Sequence, residues 1–240
     1  MDISTETESV QAAVTSILEH ATEPLYLVRP SSELLKIFIE TATDNDAPLL
    51  RVFAAEPELK AVRNHFLSAS RAADLVEYDQ LTLAPVAPEG WGTAVVTAEK
   101  AYTFAHIAGH EFVFETTAVP AGIQELWNEF RDAGKQFSLR TPPWSVVTAT
   151  LTETFDAEVC ADFTTSIHAL DDLDTLAVNE VDSALLVGAR HELLQYDLSK
   201  WTDDIQFYSK ATFSRAKSDL EELGIIVCEN VPVDVGRPRE

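Results

Sequence analysis

The C-terminal part of the chain contains three helical patterns in succession, followed by two short runs typical of β-strands. The patterns cover Glu180–Leu194, Trp201–Ile205, Lys210–Leu223, Ile225–Cys228 and Val231–Val235. Apolar residues recur at helical spacing in the first three, so each predicted helix has one face to bury, and the three faces can share a small core. Three helices followed by a strand pair is the element order of a winged helix–turn–helix. The sequence therefore predicts this fold for residues 177–240.

The third of these helices has a defined start, buried face and end. Ser209 is a residue type that caps helix N-termini, and Gly224 suits a left-handed C-terminal position. The predicted cap of the preceding short helix is Asp197 or Ser199. The predicted buried face of the third helix consists of Phe213, Ala216, Leu220 and Leu223. The opposite face carries basic and hydroxyl side chains, and no acidic residue occurs between Lys210 and Ser218.

The chemistry of that polar face suits a nucleic acid. Hydroxyl groups and arginine can contact phosphate oxygens and the base edges of the major groove, and a helix N-terminus adds free N–H groups. Arg237 and Arg239 flank a proline, which suits contacts along the DNA backbone or in the minor groove. The alternative is an amphipathic helix with a solvated polar face and a basic tail. The predicted DNA-binding residues are Ser209, Lys210, Thr212, Ser214, Arg215, Lys217, Ser218, Arg237 and Arg239.

Residues up to about Phe137 alternate helical and strand patterns, which predicts an α/β domain over residues 1–140. We expect this domain to sense a small-molecule or protein effector. Two of its predicted helices run from Pro57 to about Leu75 and from Gly122 to Phe137. Two further helical patterns follow a Pro-Pro break and predict a linker or dimerisation segment over residues 141–176. A homodimer is expected because paired half-sites on DNA need two recognition helices.

The charge balance is strongly acidic, with 40 acidic against 17 basic residues and a net charge of -23. One interpretation is a cationic partner, and the other is adaptation to a salt-rich cytoplasm, where salt screens the self-repulsion. The second is favoured because the acidic residues are spread along the chain. The acidic N-terminus does not resemble a signal peptide, and no apolar run reaches the roughly 20 residues of a membrane span. The sequence thus predicts a cytoplasmic protein.

Evidence for catalysis or metal binding in the sequence is weak. His106, His110 and Glu111 lack the order of the zinc-binding helix motif and fall in a predicted hairpin at Ala108-Gly109. Cys160 and Cys228 are predicted to be buried, reduced thiols. We expect no cofactor, no metal and no enzymatic activity. Two alternatives remain open: an α/β ligand-binding or catalytic domain with a winged-helix appendage, and a winged helix that binds protein.

Three segments of the C-terminal part also carry a resemblance. They are Ser209–Arg215 (SKATFSR), Leu220–Ile226 (LEELGII) and Pro232–Arg239 (PVDVGRPR). Together they resemble the C-terminal domain of archaeal transcription regulators of the TbsP type, over about the last sixty residues. Such regulators come from halophiles, which agrees with the acidic composition. The resemblance implies sequence-specific binding of double-stranded DNA and regulation of transcription.

Overall fold

The computed structural model describes residues 9–21, 24–43, 47–86, 88–107, 110–171 and 178–229. The chain divides into two compact units, residues 1–146 and residues 147–240. The described helices are α1 (Val10–His20), α2 (Ser32–Thr43), α3 (Glu56–Arg63), α4 (Phe66–Glu77), α5 (Ile123–Ala133), α6 (Trp144–Thr154), α7 (Ala157–Asp171), α8 (Glu180–Arg190), α9 (Gln195–Asp204) and α10 (Lys210–Glu222). The described strands are β1 (Leu25–Val28), β2 (Leu50–Phe53), β3 (Leu81–Ala84), β4 (Ala94–Val96), β5 (Ala101–Ile107) and β6 (His110–Thr116).

The first unit is built on a mixed sheet with the strand order β3-β2-β1-β4-β5-β6. Strands β1, β2 and β3 are parallel, whereas β4, β5 and β6 continue the sheet with antiparallel pairs. Parallel neighbours require crossover connections, and α2, α3 and α4 supply them. This alternation confirms the predicted α/β class of the N-terminal region.

Both faces of the sheet are covered by helices. Successive side chains of a strand point to opposite faces, so Leu25 and Leu27 pack with α1 and α2, while Tyr26 and Val28 pack with α5. All four residues of β1 are buried, as expected of a strand covered on both sides. Helix α5 contributes Ile123, Trp127 and Phe130 to the second core. The unit therefore has three layers.

Two predicted helices of this unit have different bounds in the structure. The single helix expected from Pro57 to Leu75 is in fact α3 and α4, because the His65 ring caps a new helix by accepting the N–H of Ser68. The helix expected to reach Phe137 ends at Ala133, because Gly134 takes a left-handed conformation with φ +66°. Strands β5 and β6 form the predicted hairpin, whose turn residues lie outside the described part.

The second unit is helical in its described part and comprises most of α6 together with α7, α8, α9 and α10. Its core contains the rings of Phe163, Trp201 and Phe207, whose centroids lie 5.6–6.1 Å apart. The Trp201 indole N–H also donates to the Thr150 hydroxyl at 3.0 Å. Helices α6 and α7 thus pack in the same unit as the three helices that follow them. A separate role for segment 141–176 stays a prediction.

Two local predictions for this unit are wrong. Helix α9 begins after Leu194, not after Asp197 or Ser199, and the Leu194 side chain makes no capping hydrogen bond. Residues 225–229 form no strand, although one was predicted over Ile225–Cys228. The N–H groups of Ile225 and Ile226 bond back to the Leu220 carbonyl and help to end α10, so they are not free for a strand partner. The predicted return strand at 231–235 lies outside the described residues.

Candidate nucleic-acid interface

The second unit contains a helix–turn–helix formed by α9 and α10. After α9 the chain reverses through Ile205–Tyr208, with Gln206 in a left-handed conformation at φ +55°. The carbonyl of Thr202 accepts the N–H of Phe207 at 2.8 Å and holds this turn against the end of α9. The Thr202 side chain is fully buried, so the turn is packed as well as hydrogen-bonded. The angle between α9 and α10 is therefore set by buried contacts.

Two contacts with α8 fix the motif further. The Tyr208 hydroxyl donates to a carboxylate oxygen of Glu180, at the start of α8. Burial and the nearby Glu180 carboxylate raise the pKa of Tyr208, so this tyrosine keeps its proton and stays a donor. Between α8 and α9, a Cβ added at Gly188 would lie 2.6 Å from Cδ2 of Leu198. Glycine thus allows these two helices to approach closely.

Helix α10 starts as the sequence predicts. The Ser209 hydroxyl accepts the N–H of Thr212 at 3.2 Å, and the two hydroxyl groups lie 3.0 Å apart. Ser209 and Thr212 therefore cap the start of the helix. The remaining N–H groups of the first turn are available to a ligand. Ser209 is exposed and Thr212 is partly buried.

The structure places most of the predicted polar face in solvent. Lys210, Ser214, Arg215 and Ser218 are exposed, and three of them follow one line of the helix at intervals of four residues. Lys217 differs, because only 20% of its side chain is exposed. The accessible face of α10 therefore consists of two basic side chains and two hydroxyl groups over its first two and a half turns, with Lys217 at its border.

Acidic neighbours engage both lysines of this face. Lys210 forms an ion pair with Asp203 at the end of α9, with Nζ 3.1 Å from Oδ2. Lys217 is paired with Glu221 one turn further along α10, at 3.5 Å. The Arg215 guanidinium, by contrast, has no ion pair or hydrogen bond with any described residue. Among the described residues, Arg215 is thus the basic side chain of this face without an ion pair.

The buried side of α10 was predicted correctly in part. Phe213 and Leu220 are buried, at 1% and 5% exposure, and Ala216 is partly buried. Leu223 was expected in the same stripe, but it is 72% exposed. Gly224 takes the predicted left-handed conformation at φ +68° and turns the chain back, so that Ile226 is buried instead of Leu223.

Several predictions concern residues that lie elsewhere or outside the described ranges. Arg237 and Arg239, and with them the predicted wing, lie outside the described part of the chain. The side chains of His106 and His110 are also outside it. Within the described residues no three His, Cys, Asp or Glu side chains form a group that could hold a metal ion. Cys228 is exposed and Cys160 only partly buried, which corrects the expectation that both thiols are buried.

Sequence reasoning missed Asp203 as a part of this face. Asp203 and Lys210 are seven positions apart, on different helices, and meet only because the turn reverses the chain. No local spacing rule connects two such residues. In the described ranges, no helix is both long and apolar enough to cross a membrane.

Two family models together match almost the whole chain. Residues 3–142 match the family described as "Transcriptional regulator TbsP-like, N-terminal", and residues 143–240 match "Transcriptional regulator TbsP-like, C-terminal HTH domain". No match was found among curated proteins. One similar solved structure is TrmBL2, an archaeal chromatin protein, with 14% identity and a TM-score of 0.35.

The likeness to TrmBL2 covers 57% of this chain and 52% of that one, so the chain spans about half the length of that protein. A similarity this distant carries no information on function. The two family matches, in contrast, agree with the α/β unit followed by a helical unit that contains α9 and α10. The chain therefore belongs to the family of TbsP-like transcriptional regulators, with a C-terminal helix–turn–helix domain.

Proposed function

We propose that the protein binds double-stranded DNA sequence-specifically, with α10 in the major groove. The observation that carries this proposal is the exposed Arg215 guanidinium, which has no partner among the described residues. Arginine can form two hydrogen bonds to a guanine edge, which is the commonest specific contact in the major groove. Ser214 and Ser218 lie on the same accessible face and supply hydroxyl groups for bases or phosphates.

The other predicted contacts are proposed in supporting roles. Lys210 is placed at the N-terminal end of α10, where its charge can reach either a base or a phosphate. Thr212 and Ser209 shape the helix start, whose N–H groups favour an anion. Lys217 is proposed to contact phosphate at the border of the interface. Arg237 and Arg239 are proposed to contact the backbone from a wing.

We further propose that the protein works in the salt-rich cytoplasm of a halophilic archaeon. Salt weakens binding that rests on phosphate contacts, because the release of counterions from DNA into a concentrated salt solution gains less entropy. On this face both lysines form ion pairs with acidic residues of the same chain, and only the arginine has no such pair among the described residues. Binding through this face therefore depends little on phosphate contacts. The acidic composition, with a net charge of -23, supports the same interpretation.

Asp203→Asn is expected to strengthen binding to random DNA by a few-fold and to reduce the preference for the operator. Asp203 holds Lys210 in an exposed ion pair, and exposed pairs are worth about 0–1 kcal/mol, so the substitution frees a cation at small cost to stability. Fluorescence anisotropy with random and operator duplexes measures both effects. The matched control is Asp204→Asn at the neighbouring exposed position. An equal change in the two variants would show that only net charge matters.

We propose that α7 carries the contact between two copies of the chain. Its apolar face is already buried inside the second unit through Val159, Phe163 and Ile167. The exposed face has small side chains at four-residue intervals, namely Ala157, Ala161 and Thr165, which would let a second helix approach closely. Two copies would present two α10 helices to paired half-sites.

Ala161→Arg is expected to convert the dimer into a monomer without unfolding it, because the new side chain would occupy the surface that the second α7 needs. Light scattering after size-exclusion chromatography measures the mass. Thr152→Arg on the exposed side of α6 adds the same single charge and is the control. A wild-type protein that is monomeric at micromolar concentration, or a variant that remains dimeric, contradicts this assignment.

The first unit is proposed to receive a small-molecule or protein effector and to have no enzymatic activity. Selection of genomic DNA fragments at high potassium chloride tests the proposed function as a whole. We expect a small set of fragments to be retained against an excess of random competitor DNA. Equal retention of all fragments by the folded protein would contradict sequence-specific binding and favour a helix–turn–helix that binds protein.

A further inference from the structure

A half-buried arginine lies on the α5 side of the sheet in the first unit. Arg51 is in the middle of β2, and its guanidinium carbon is 4.5 Å from the centre of the Trp127 ring and 5.4 Å from that of Tyr26. The aromatic rings hold the guanidinium group in a fixed place. Tyr26 and Trp127 themselves meet edge to face at 6.4 Å. The arginine is thus part of a cluster with two aromatic rings.

The hydrogen bonds of Arg51 leave its charge uncompensated. Nη1 donates to the Tyr26 hydroxyl at 2.6 Å, and that hydroxyl donates to Oε1 of Gln124 at 2.6 Å. This relay ends on a neutral amide. The Nε–H group is buried and has no acceptor, and no carboxylate of the described residues lies within ion-pair distance of the guanidinium. An arginine without a counter-ion is unexpected in a chain with 40 acidic residues.

Such an arrangement is costly unless another group completes it. A buried N–H group without an acceptor costs about 1–3 kcal/mol, and a desolvated charge without a counter-ion costs more. Aromatic rings can offset part of the second cost but not the first, since Nε–H points outward within the guanidinium plane and needs an acceptor there. The acceptor that is missing must therefore approach in the plane of the guanidinium group.

We propose that Arg51 binds the carboxylate or phosphate group of a small-molecule effector. Nη1 is used by Tyr26, so the Nε and Nη2 edge is the one that can hold two oxygens of an anion in a bidentate manner. Thr82 of β3 is the register partner of Arg51 and projects from the same face of the sheet. Its hydroxyl has no hydrogen bond with any described residue and can donate to the same anion.

The location suits a regulatory ligand. Arg51 and Thr82 are both only partly buried, so the site lies at the edge of the core, and the bidentate contact requires a small shift of side chains that uncovers the buried Nε. Gln124 and Trp127 belong to α5, so an anion on Arg51 would act on the relay that ties this helix to β1 and β2. This inference rests on the proposed effector role of the first unit, and it assigns to that role a site and a class of ligand.

The test measures anion binding directly, without DNA, on the full-length protein. Inorganic phosphate and malonate are titrated separately at constant ionic strength, with glycerol as the uncharged probe, by calorimetry and by tryptophan fluorescence. We expect saturable binding of at least one anion and none of glycerol. Arg51→Met should weaken it at least tenfold. The control is Arg63→Met, which removes another half-buried arginine that lies 5.5 Å from an aromatic ring, that of Phe137.

The outcomes distinguish the two classes of ligand from each other and from a site that binds no anion. Binding of malonate alone indicates a carboxylate effector, and binding of phosphate alone indicates a phosphate ester. If Arg51→Met does not fold, Thr82→Val takes its place, and a several-fold weaker binding is expected. No saturable binding to the wild-type protein, or equal binding after loss of Arg51 or of the Thr82 hydroxyl, overturns the proposal. Selective retention of genomic fragments would stand in either case, because that measurement contains no effector.

Discussion

Arg215→Ala is expected to weaken binding to the operator by roughly tenfold to a hundredfold, because a bidentate contact to guanine is worth about 1–3 kcal/mol. Affinity for random DNA should fall much less, since one phosphate contact at most is lost. The stability of the protein should not change, because the exposed Arg215 side chain has no polar partner among the described residues. Fluorescence anisotropy at several potassium chloride concentrations measures both affinities.

Arg190→Ala is the matched control for this variant. Arg190 is in the same unit, its side chain is 72% exposed, and it faces Asp162 on α7 and not the predicted groove. The same loss of charge at this position should leave the ratio of operator to random affinity unchanged. If Arg215→Ala and Arg190→Ala lowered operator binding equally, α10 would not be the element that reads the sequence.

Phe163→Ala is expected to destabilise the second unit by about 3–5 kcal/mol, the cost of removing a large buried ring and leaving a cavity. Phe163 is 1% exposed and contacts Trp201 of α9 and Phe207 of the turn edge to face. These are the residues that orient α10 through the turn. Loss of the ring should therefore abolish operator binding as well as stability.

Urea unfolding followed by circular dichroism measures the stability change. Thr152→Ala, on the exposed side of α6, is the control and should shift the free energy of unfolding by less than about 0.5 kcal/mol. A Phe163→Ala protein as stable as the control would mean that these rings do not hold the unit together. Normal operator binding by a destabilised variant would mean that α10 is oriented by other contacts.

Much of the fold could be predicted because its determinants are local. Ser209 and Gly224 set the ends of α10 through a hydroxyl cap and a left-handed glycine, and both act within a few residues. The strands of the first unit were found from short apolar runs bounded by turn residues. Such patterns depend on neighbours in the chain, which a sequence shows directly.

The errors concern features that depend on distant groups or on unusual caps. His65 caps α4 with an imidazole ring, which is not among the preferred capping residues, so the break between α3 and α4 left no clear pattern. Leu223 fits the helical period but lies exposed, because the helix ends there and the chain turns at Gly224, after which Ile226 is buried. The helical period of apolar residues predicts which residues share a face, but not which of them are buried against another element.

In the candidate interface, too, local features could be predicted from the sequence and contacts between elements could not. Ser214, Arg215 and Ser218 were predicted from the absence of acidic residues in one window, and all three are exposed. The pairing of Lys210 with Asp203 could not be predicted, because it depends on the turn between α9 and α10. The contact of Arg51 with aromatic rings could not be predicted either, because it forms only when α5 packs on the sheet.

The central claim is that α10 reads the DNA sequence through Arg215. Its most direct test is selection of binding sites from a randomised duplex library, with the wild-type protein and Arg215→Ala side by side at the same high potassium chloride concentration. We predict a defined motif for the wild type and loss of preference at one guanine position of each half-site in the variant. An identical motif for both proteins, or no motif for the folded wild type, would contradict the claim.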